Sequence, residues 1–181
     1  MITVNAAAPD TAITRALGDM IGQRVWPGLP VVRGMADRVP PPPGRQYAVV
    51  TPLTAQPAGT TLHGYARPED VADMGAQEVR QRLIRRVQVD FYGANADAMC
   101  ATFAALANDA RGVDFCAPYG VTPLYTGAAQ AMPEPDGREN WTNRWTVDLF
   151  VQFDAAVTLE QEYFATVEIH TRLANAAAQE A

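Results

Sequence analysis

The sequence contains no serine and no lysine, so all 14 of its basic residues are arginine. Without lysine there is no phosphate-loop lysine, Schiff base or lysine general base, and without serine there is no serine nucleophile. The only cysteines are Cys100 and Cys116, whose spacing fits neither a redox pair nor a zinc knuckle. Several large enzyme classes are therefore excluded, and we expect both thiols to be free and buried.

Long apolar runs are also missing. No window approaches the roughly 18 apolar residues that a membrane span needs, and residues 1–8 lack the basic start of a signal peptide. We therefore expect a protein that is made and kept in a cytoplasm without membrane contact. The net charge of −6 argues against a protein that coats nucleic acid. At 181 residues the chain is long enough to bury a core without metal or disulfide, and we interpret 1–181 as a single domain.

Hydrophobic periodicity predicts an α+β fold, with a mostly antiparallel sheet and two main helices packed on it. The helices are expected near 11–24, with Asp10 as N-cap, and near 95–111, with Asn95 as N-cap and Arg111-Gly112 as the stop. Alternation of apolar and polar residues predicts the strands, which we place near 47–53, 79–92, 121–132 and 139–153. The turn Pro133 to Gly137 makes the last two strands a hairpin.

A polar stretch separates the first two of these strands. Residues 54–78 are rich in proline, glycine and acidic side chains, and so long a loop inside a compact domain is unusual. We predict that they form a long β-hairpin arm with an acidic tip near Glu69 and Asp70. Because the segment from about 57 to 75 carries few large apolar residues, we expect it to serve assembly and not folding. An alanine-rich, flexible tail is expected at 173–181.

One dense cluster of charge lies directly before the alternating segment Val87 to Tyr92. It consists of four arginines, Arg80, Arg82, Arg85 and Arg86. The cluster lacks the interleaved aromatic residues that stack on bases, and acids at Glu69, Asp70, Asp73 and Glu78 could neutralise it across a hairpin or a subunit boundary. We therefore predict protein contacts, and the candidate assembly interface comprises Arg80, Arg82, Arg85, Arg86, Glu69, Asp70 and Tyr65.

Residues that often carry catalysis occur without supporting motifs. His63 and His170 are the only histidines, and neither has a second ligand at metal spacing. Asp90 and Asp148 lie on the polar face of two strands, where solvated carboxylates are the simpler interpretation. We therefore predict no catalytic, metal or cofactor site. The alternative of another class is a small hydrolytic or ligand-binding enzyme that uses Asp90 or Cys116.

Five segments of the chain, taken in order, resemble the neck and tail terminator proteins of long-tailed bacteriophages. The segments are Val31-Val32-Arg33-Gly34 with Arg38-Val39-Pro40, Val50-Thr51-Pro52-Leu53, Gln88-Val89-Asp90-Phe91-Tyr92-Gly93, Gly120-Val121-Thr122-Pro123-Leu124-Tyr125 and Arg144-Trp145-Thr146-Val147-Asp148-Leu149. The resemblance runs over about residues 10 to 170. These motifs belong to the scaffold and mark no active site.

The resemblance implies a virion structural protein that is assembled in the host cytoplasm. Its subunits would form a ring, hexameric by expectation, that caps the tail tube and joins it to the neck. The implied partners are further copies of the chain, the tail tube protein and the head–tail connector proteins, with the sheath as a further candidate. DNA would pass through the ring without specific binding. The alternative within the same class is a head-completion or minor tail protein.

Overall fold

The computed structural model describes residues 2–4, 9–35, 46–66, 74–135 and 141–162. Within these ranges, strands and helices follow one another along the chain. The α-helices are α1 (Pro9–Met20), α2 (Ala96–Ala107) and α3 (Ala110–Cys116); a π-helical turn (Ile21–Val25) follows α1 and a 3₁₀ turn (Ala117–Tyr119) follows α3. The strands are β1 (Ile2–Val4), β2 (Val31–Arg33), β3 (Tyr47–Pro57), β4 (Leu62–Ala66), β5 (Met74–Tyr92), β6 (Thr122–Thr126), β7 (Gln130–Ala131), β8 (Glu134–Pro135), β9 (Trp141–Thr142) and β10 (Arg144–Glu162).

Two long antiparallel strands, β5 and β10, form the centre of the large sheet. Each has 19 residues, and they pair over their whole length, from Arg144 opposite Tyr92 to Glu162 opposite Met74. On one side of this pair, β3 and then β4 follow each other along β5, and β2 pairs with β3 in parallel. On the other side, β7, β6 and β1 follow each other along β10. Strands β8 and β9 form a separate small hairpin.

The hydrophobic core lies between the three helices and one end of this sheet. From β5 it takes Val87, Val89 and Phe91, and from β10 it takes the alternating residues Val147, Leu149, Val151 and Phe153. The helices contribute a stripe of side chains that are almost fully buried: Ile13, Ala16, Leu17 and Met20 from α1, and Ala96, Met99, Cys100, Phe103 and Ala107 from α2. The burial expected from the sequence patterns is thus observed for both helices and both long strands.

The fold class predicted from the sequence is confirmed, and several boundaries differ from the prediction. Strand β10 continues nine residues beyond the expected end at Phe153, because its pairing with β5 continues. The short apolar segment at Val31 forms β2, which pairs in parallel with β3. Among the strands that the structure describes, this is the one parallel pairing. The tail predicted at 173–181 lies outside the described residues.

The helix ends differ more than the strands do. Asp10 lies inside the first turn of α1, where its side chain contacts arginines, so the predicted N-cap is wrong. Asn95 occupies the N-cap position of α2, but its side chain makes no capping hydrogen bond. Arg111 and Gly112 do not stop α2; they belong to the first turn of α3, whose N-cap Asp109 accepts a hydrogen bond from the Arg111 backbone N–H at 3.0 Å.

Candidate assembly surface

The end of the sheet away from the helices forms a projection that we call the arm. It comprises residues 74–82 of β5, residues 154–162 of β10, and strands β1 and β4, which pair with them. Residues 62–65, 75–82 and 154–159, whose burial the structure describes, are all half-buried or exposed. At about 3.3 Å per residue, the long strands extend the arm by about 30 Å beyond the core. These described residues of the arm therefore lie outside the buried core.

Three of the four clustered arginines lie on the outer face of the sheet, which is the face opposite the helices. Strand alternation places Arg80, Arg82 and Arg86 there, because Val87 and Val89 occupy the helix side. Each arginine contacts an acid: Arg80 pairs with Glu78 at 2.8 Å, Arg82 with Asp154 at 3.3 Å, and Arg86 with Asp148 at 2.7 Å. The outer face is thus neutralised residue by residue.

The shortest of the contacts on the arm itself joins Arg80 and Glu78 and affects both groups. The hydrogen bond from Arg80 lowers the pKa of the Glu78 carboxyl, and the same bond raises the pKa of the Arg80 guanidinium. Glu78 is one of the four acids that the sequence suggested as partners for the cluster. Glu69, Asp70 and Asp73 lie outside the described residues, and Asp154 and Asp148 supply the other contacts instead.

The fourth arginine, Arg85, faces the helices and fixes the base of the arm to the core. Its Nη2 lies 2.9 Å from Oδ1 of Asp10 in the first turn of α1, and Nη2 of Arg33 lies 3.8 Å from Oδ2 of the same carboxylate. The side chain of Arg85 is only 19% exposed. Because a carboxylate at a helix N-terminus is also favoured by the helix dipole, this joint ties strand and helix together.

The helix-side face of the arm carries an apolar strip with polar residues beside it. Val79 lies directly opposite Val157 on β10 and opposite His63 on β4, so all three share this face. Leu159 lies opposite Gln77, whose Nε2 is 3.1 Å from Nδ1 of His63. The three apolar residues of the strip, Val79, Val157 and Leu159, are half-buried and do not belong to the buried core.

Tyr65 is the predicted interface residue that the structure places on this helix-side face. Tyr65 lies opposite Gln77, and Nε2 of Gln77 donates a hydrogen bond of 3.3 Å to the Tyr65 hydroxyl. Tyr65 is 73% exposed. The structure therefore brings Tyr65 together with the apolar strip, and it separates Tyr65 from the arginines of the outer face. Glu69 and Asp70 lie in the chain between β4 and β5, outside the described residues.

Sequence reasoning missed the apolar strip, namely Val79, Val157 and Leu159. The available signal was the alternation Ala155, Val157, Leu159, which continues the parity of Phe153. It is weak, because Asp154, Ala155 and Ala156 interrupt the run of large apolar side chains. Only the unbroken pairing with β5 shows that the strand continues.

The groups proposed for the alternative enzymatic function occupy structural positions. Asp90 pairs with Arg144 and Asp148 pairs with Arg86, so the two carboxylates have separate cationic partners. Cys100 and Cys116 are fully buried, and burial raises the pKa of each thiol to about 11. His63 is held by Gln77, and His170 lies outside the described residues. This geometry gives the enzyme alternative no support.

Neither metal nor membrane chemistry is indicated within the part of the chain that the structure describes. Its His, Cys, Asp and Glu side chains do not gather in groups of three or more that could hold a metal ion. Its helices are too short or too polar to cross a membrane.

Fold and surface together define a mixed α+β subunit with a projecting, two-faced sheet arm. The chain belongs to the phage neck terminator protein family, whose sequence model matches residues 11–174. The resemblance seen in the sequence motifs is thereby confirmed. No curated protein matches the chain. Membership in this family makes the chain a structural protein of the phage virion that associates with other neck and tail proteins.

Proposed function

We propose that the chain assembles into a ring, with six copies expected, that caps the head-proximal end of the tail tube and joins it to the neck. The observation that carries this proposal is the arm, whose apolar helix-side strip lies beyond the subunit's own core. Its residues Val79, Val157 and Leu159 are half-buried outside that core, and apolar patches at a subunit's surface are typical of protein contact sites. The ring subunit is also what family membership suggests.

The size of the arm supports an assembly role. A ribbon about 30 Å long and about 15 Å wide presents roughly 450 Å² on each face. Stable contacts bury about 800 Å² per partner, so an arm that lies between neighbours can supply most of that area. A contact between an arm and a different surface of the next copy is head-to-tail, and such contacts form a closed ring when the rotation closes.

The charge pattern suits a ring through which DNA passes. Arg80, Arg82 and Arg86 on the outer face of the sheet each contact an acid, and the whole chain carries a net charge of −6. Phosphate contacts supply most of non-specific DNA affinity, so a neutral or acidic wall lets the genome move. We therefore infer that the ring surrounds the DNA path without holding the DNA.

Electron microscopy of tail tubes with and without the purified protein tests this function. We expect rings in the protein alone or on the tubes, and additional density at one end of each tube. The alternative head-completion role predicts density on the head portal and none on the tube. Monomers that leave both tube ends bare contradict the proposal.

A further inference from the structure

Both lateral edges of the large sheet are formed by segments without charged side chains. No Asp, Glu or Arg occurs in residues 46–66, which contain β3 and β4, or in residues 115–133, which contain β6 and β7. The central strands β5 and β10 carry acids and arginines instead. Native sheets commonly protect exposed edges with charged residues, whereas the centres of protein interfaces are depleted of charge. This pattern therefore indicates a sheet that meets other proteins at its edges.

The first of these edges lies on the β5 side of the sheet, and we call residues 54–65 the β4 flank. Among the described strands, β2 lies on the side of β3 away from β5, and its pairing ends at Val50. Every residue of the β4 flank is exposed except Thr61, which is half-buried. Leu62 is 56% exposed and Tyr65 is 73% exposed. The β4 flank thus presents large side chains at an uncharged edge.

The opposite edge has the same properties, and we call residues 124–132 the β6 flank. All of these residues are exposed except Thr126, which is half-buried. The large side chains of the β6 flank are Leu124, Tyr125 and Met132. The ring of Tyr125 stacks on that of Phe150 with their centres 4.6 Å apart. Because this stacking already orders the exposed tyrosine, a contact here costs less conformational entropy.

The charged residues beside the two flanks are neutralised within the subunit. Leu62 of the β4 flank lies opposite Arg80, which pairs with Glu78 at 2.8 Å. Beside the β6 flank, Asp148 pairs with Arg86 at 2.7 Å. The two flanks therefore match each other as uncharged surfaces with large apolar and aromatic side chains.

The two flanks cannot meet within one subunit, because β5 and β10 lie between them. The β4 flank runs beside residues 77–85 of β5, and the β6 flank runs beside residues 145–150 of β10, which pair with the other end of β5. At about 3.3 Å per residue, the centres of the flanks are about 25 Å apart along the strands. A second copy that is shifted by this distance brings its β4 flank to the β6 flank, and its arm then lies beside the core of the first copy.

The area of each flank favours a contact that uses both of them. A strand edge about 30 Å long and about 10 Å deep covers roughly 300 Å², which is well below the about 800 Å² per partner that stable complexes bury. A dimer through two like flanks would have this one contact. In a closed ring, each copy is held at both of its flanks, and the area per copy doubles.

The β6 flank is suited to side-chain contacts more than to a further hydrogen-bonded strand. Pro123, directly before the flank, has no backbone N–H, and the N–H of Thr126 is donated to Oδ1 of Asn108 at 3.0 Å. Nδ2 of Asn108 also donates to the Thr126 hydroxyl at 2.7 Å, so the end of α2 fixes this edge. Two of the donors that an added strand needs are therefore missing.

We propose that the β4 flank of one copy of this chain packs against the β6 flank of the next copy, through the exposed side chains of both. This inference deepens the proposed ring, on which it rests, by naming the two surfaces that meet. Since the two flanks differ, each copy offers one of each, and the contact can repeat until the ring closes.

Charge-introducing variants test the contact by native mass spectrometry over a range of protein concentrations. We expect L62R/Y65R and Y125E/M132E each to weaken subunit association at least tenfold, because each places unpaired charges against an apolar flank. The variant with all four substitutions places opposite charges across the contact and should associate again. A101E/T102E adds two charges at exposed positions of α2 and is the matched control, which should associate normally. Urea unfolding midpoints close to that of the parent show that the variants are folded.

Thiol crosslinking identifies which flanks meet. A mixture of T60C and A129C proteins, both altered at exposed positions, should give a covalent dimer with a short bis-maleimide, and T60C mixed with T102C should not. Crosslinked dimers of T60C alone or A129C alone would show that like flanks meet, which contradicts the inference.

The outcomes separate this inference from the proposed function. Parent-like association in both charge variants, or parent rings without the T60C–A129C crosslink, contradict this inference alone. Loss of tube binding without loss of subunit association would assign the flanks to the tube and also contradict it. A parent protein that stays monomeric, alone and on tubes, contradicts the proposed function as well.

Discussion

Arg144 donates to a single oxygen of Asp90 from two of its nitrogens, Nε and Nη2, each at 3.1 Å. Asp90 is only 3% exposed, and its carboxylate also accepts hydrogen bonds from Gln88 at 2.9 and 3.2 Å. Burial lowers the pKa of Arg144, but the charges of Asp90, Tyr92 and Glu134 and the hydrogen bond to Asp90 together more than offset this effect, so the pKa is raised. The guanidinium lies 5.5 Å from the centre of the Tyr92 ring, so one arginine links the two central strands.

Removal of the Arg144 side chain should therefore destabilise the folded protein. R144A leaves a buried carboxylate without its cation, and we expect a loss of about 3 kcal/mol in the free energy of unfolding. The control is R86A, which removes an exposed pair with Asp148 and should cost less than about 1 kcal/mol. Urea unfolding of both variants measures the difference. Equal losses in the two variants would show that the buried pair has no special weight.

The two buried thiols predict how stability depends on pH. Burial raises the pKa of Cys100 and Cys116 from 9.0 to about 11. The unfolded chain loses these protons near pH 9 and the folded chain keeps them to about pH 11, so the free energy of unfolding falls as the pH rises through this window. Each thiol contributes a slope of up to about 1.4 kcal/mol per pH unit. Urea unfolding between pH 8 and 11 should show that the free energy of unfolding falls less steeply with pH in C100A/C116A than in the parent. The same slope in both proteins would contradict raised pKa values for the two thiols.

Gly112 should be required for the packing of α3 on α2. G112A introduces a Cβ that would lie 2.2 Å from a backbone oxygen, so we expect a destabilisation of about 1–3 kcal/mol by thermal or urea unfolding. G59A is the control, because nothing lies within 4 Å of the added Cβ at this exposed position. A G112A protein as stable as the parent would mean that the two helices can move apart at little cost.

The arginine cluster should not bind duplex DNA at physiological salt. Arg82 and Arg86 contact Asp154 and Asp148, so DNA phosphates would have to displace these acids. A gel-shift assay should show no retardation at micromolar protein. Salt-sensitive retardation that disappears in R82A/R86A would identify a DNA site and contradict the neutral outer face.

The fold was largely predictable because its core follows regular patterns. Met99, Phe103 and Ala107 recur at helical spacing, and Val87, Val89 and Phe91 alternate as a strand requires. The missed helix α3 shows the limit of such reasoning. Gly112 has the sequence signature of a helix stop, yet it allows close packing between helices, which depends on contacts that the local pattern does not encode.

The candidate surface was only partly predictable. The arm predicted at 54–78 and the interface role of Tyr65 stay predictions, because the structure forms the arm from β4 and residues 74–82 together with residues 154–162 and β1, and residues 67–73 lie outside the described residues. The sequence could not predict which acids pair with the arginines, because Asp10 lies 75 residues from Arg85 and Asp154 lies 72 residues from Arg82 along the chain. Such contacts follow from strand pairing and helix packing, and the local spacing of residues in the sequence does not predict them.

The central claim is that the arm serves assembly and not folding. Ala58 donates its backbone N–H to the carbonyl of Arg82 at 2.9 Å, and Pro57 lies opposite Leu83, so β3 and β5 are in register for a tight turn at this level. Replacement of residues 59–81 by Asn-Gly therefore removes β4 and residues 74–81 of β5, and no residue of this range that the structure describes belongs to the buried core. The shortened chain should melt in one cooperative transition.

The oligomeric mass of this shortened protein is the most direct test, measured by light scattering beside the intact chain under the same conditions. The account predicts that the intact chain gives the mass of a ring, with six copies expected, and that the shortened chain gives the mass of a folded monomer. A shortened chain that forms the same ring, or one that no longer folds, contradicts it.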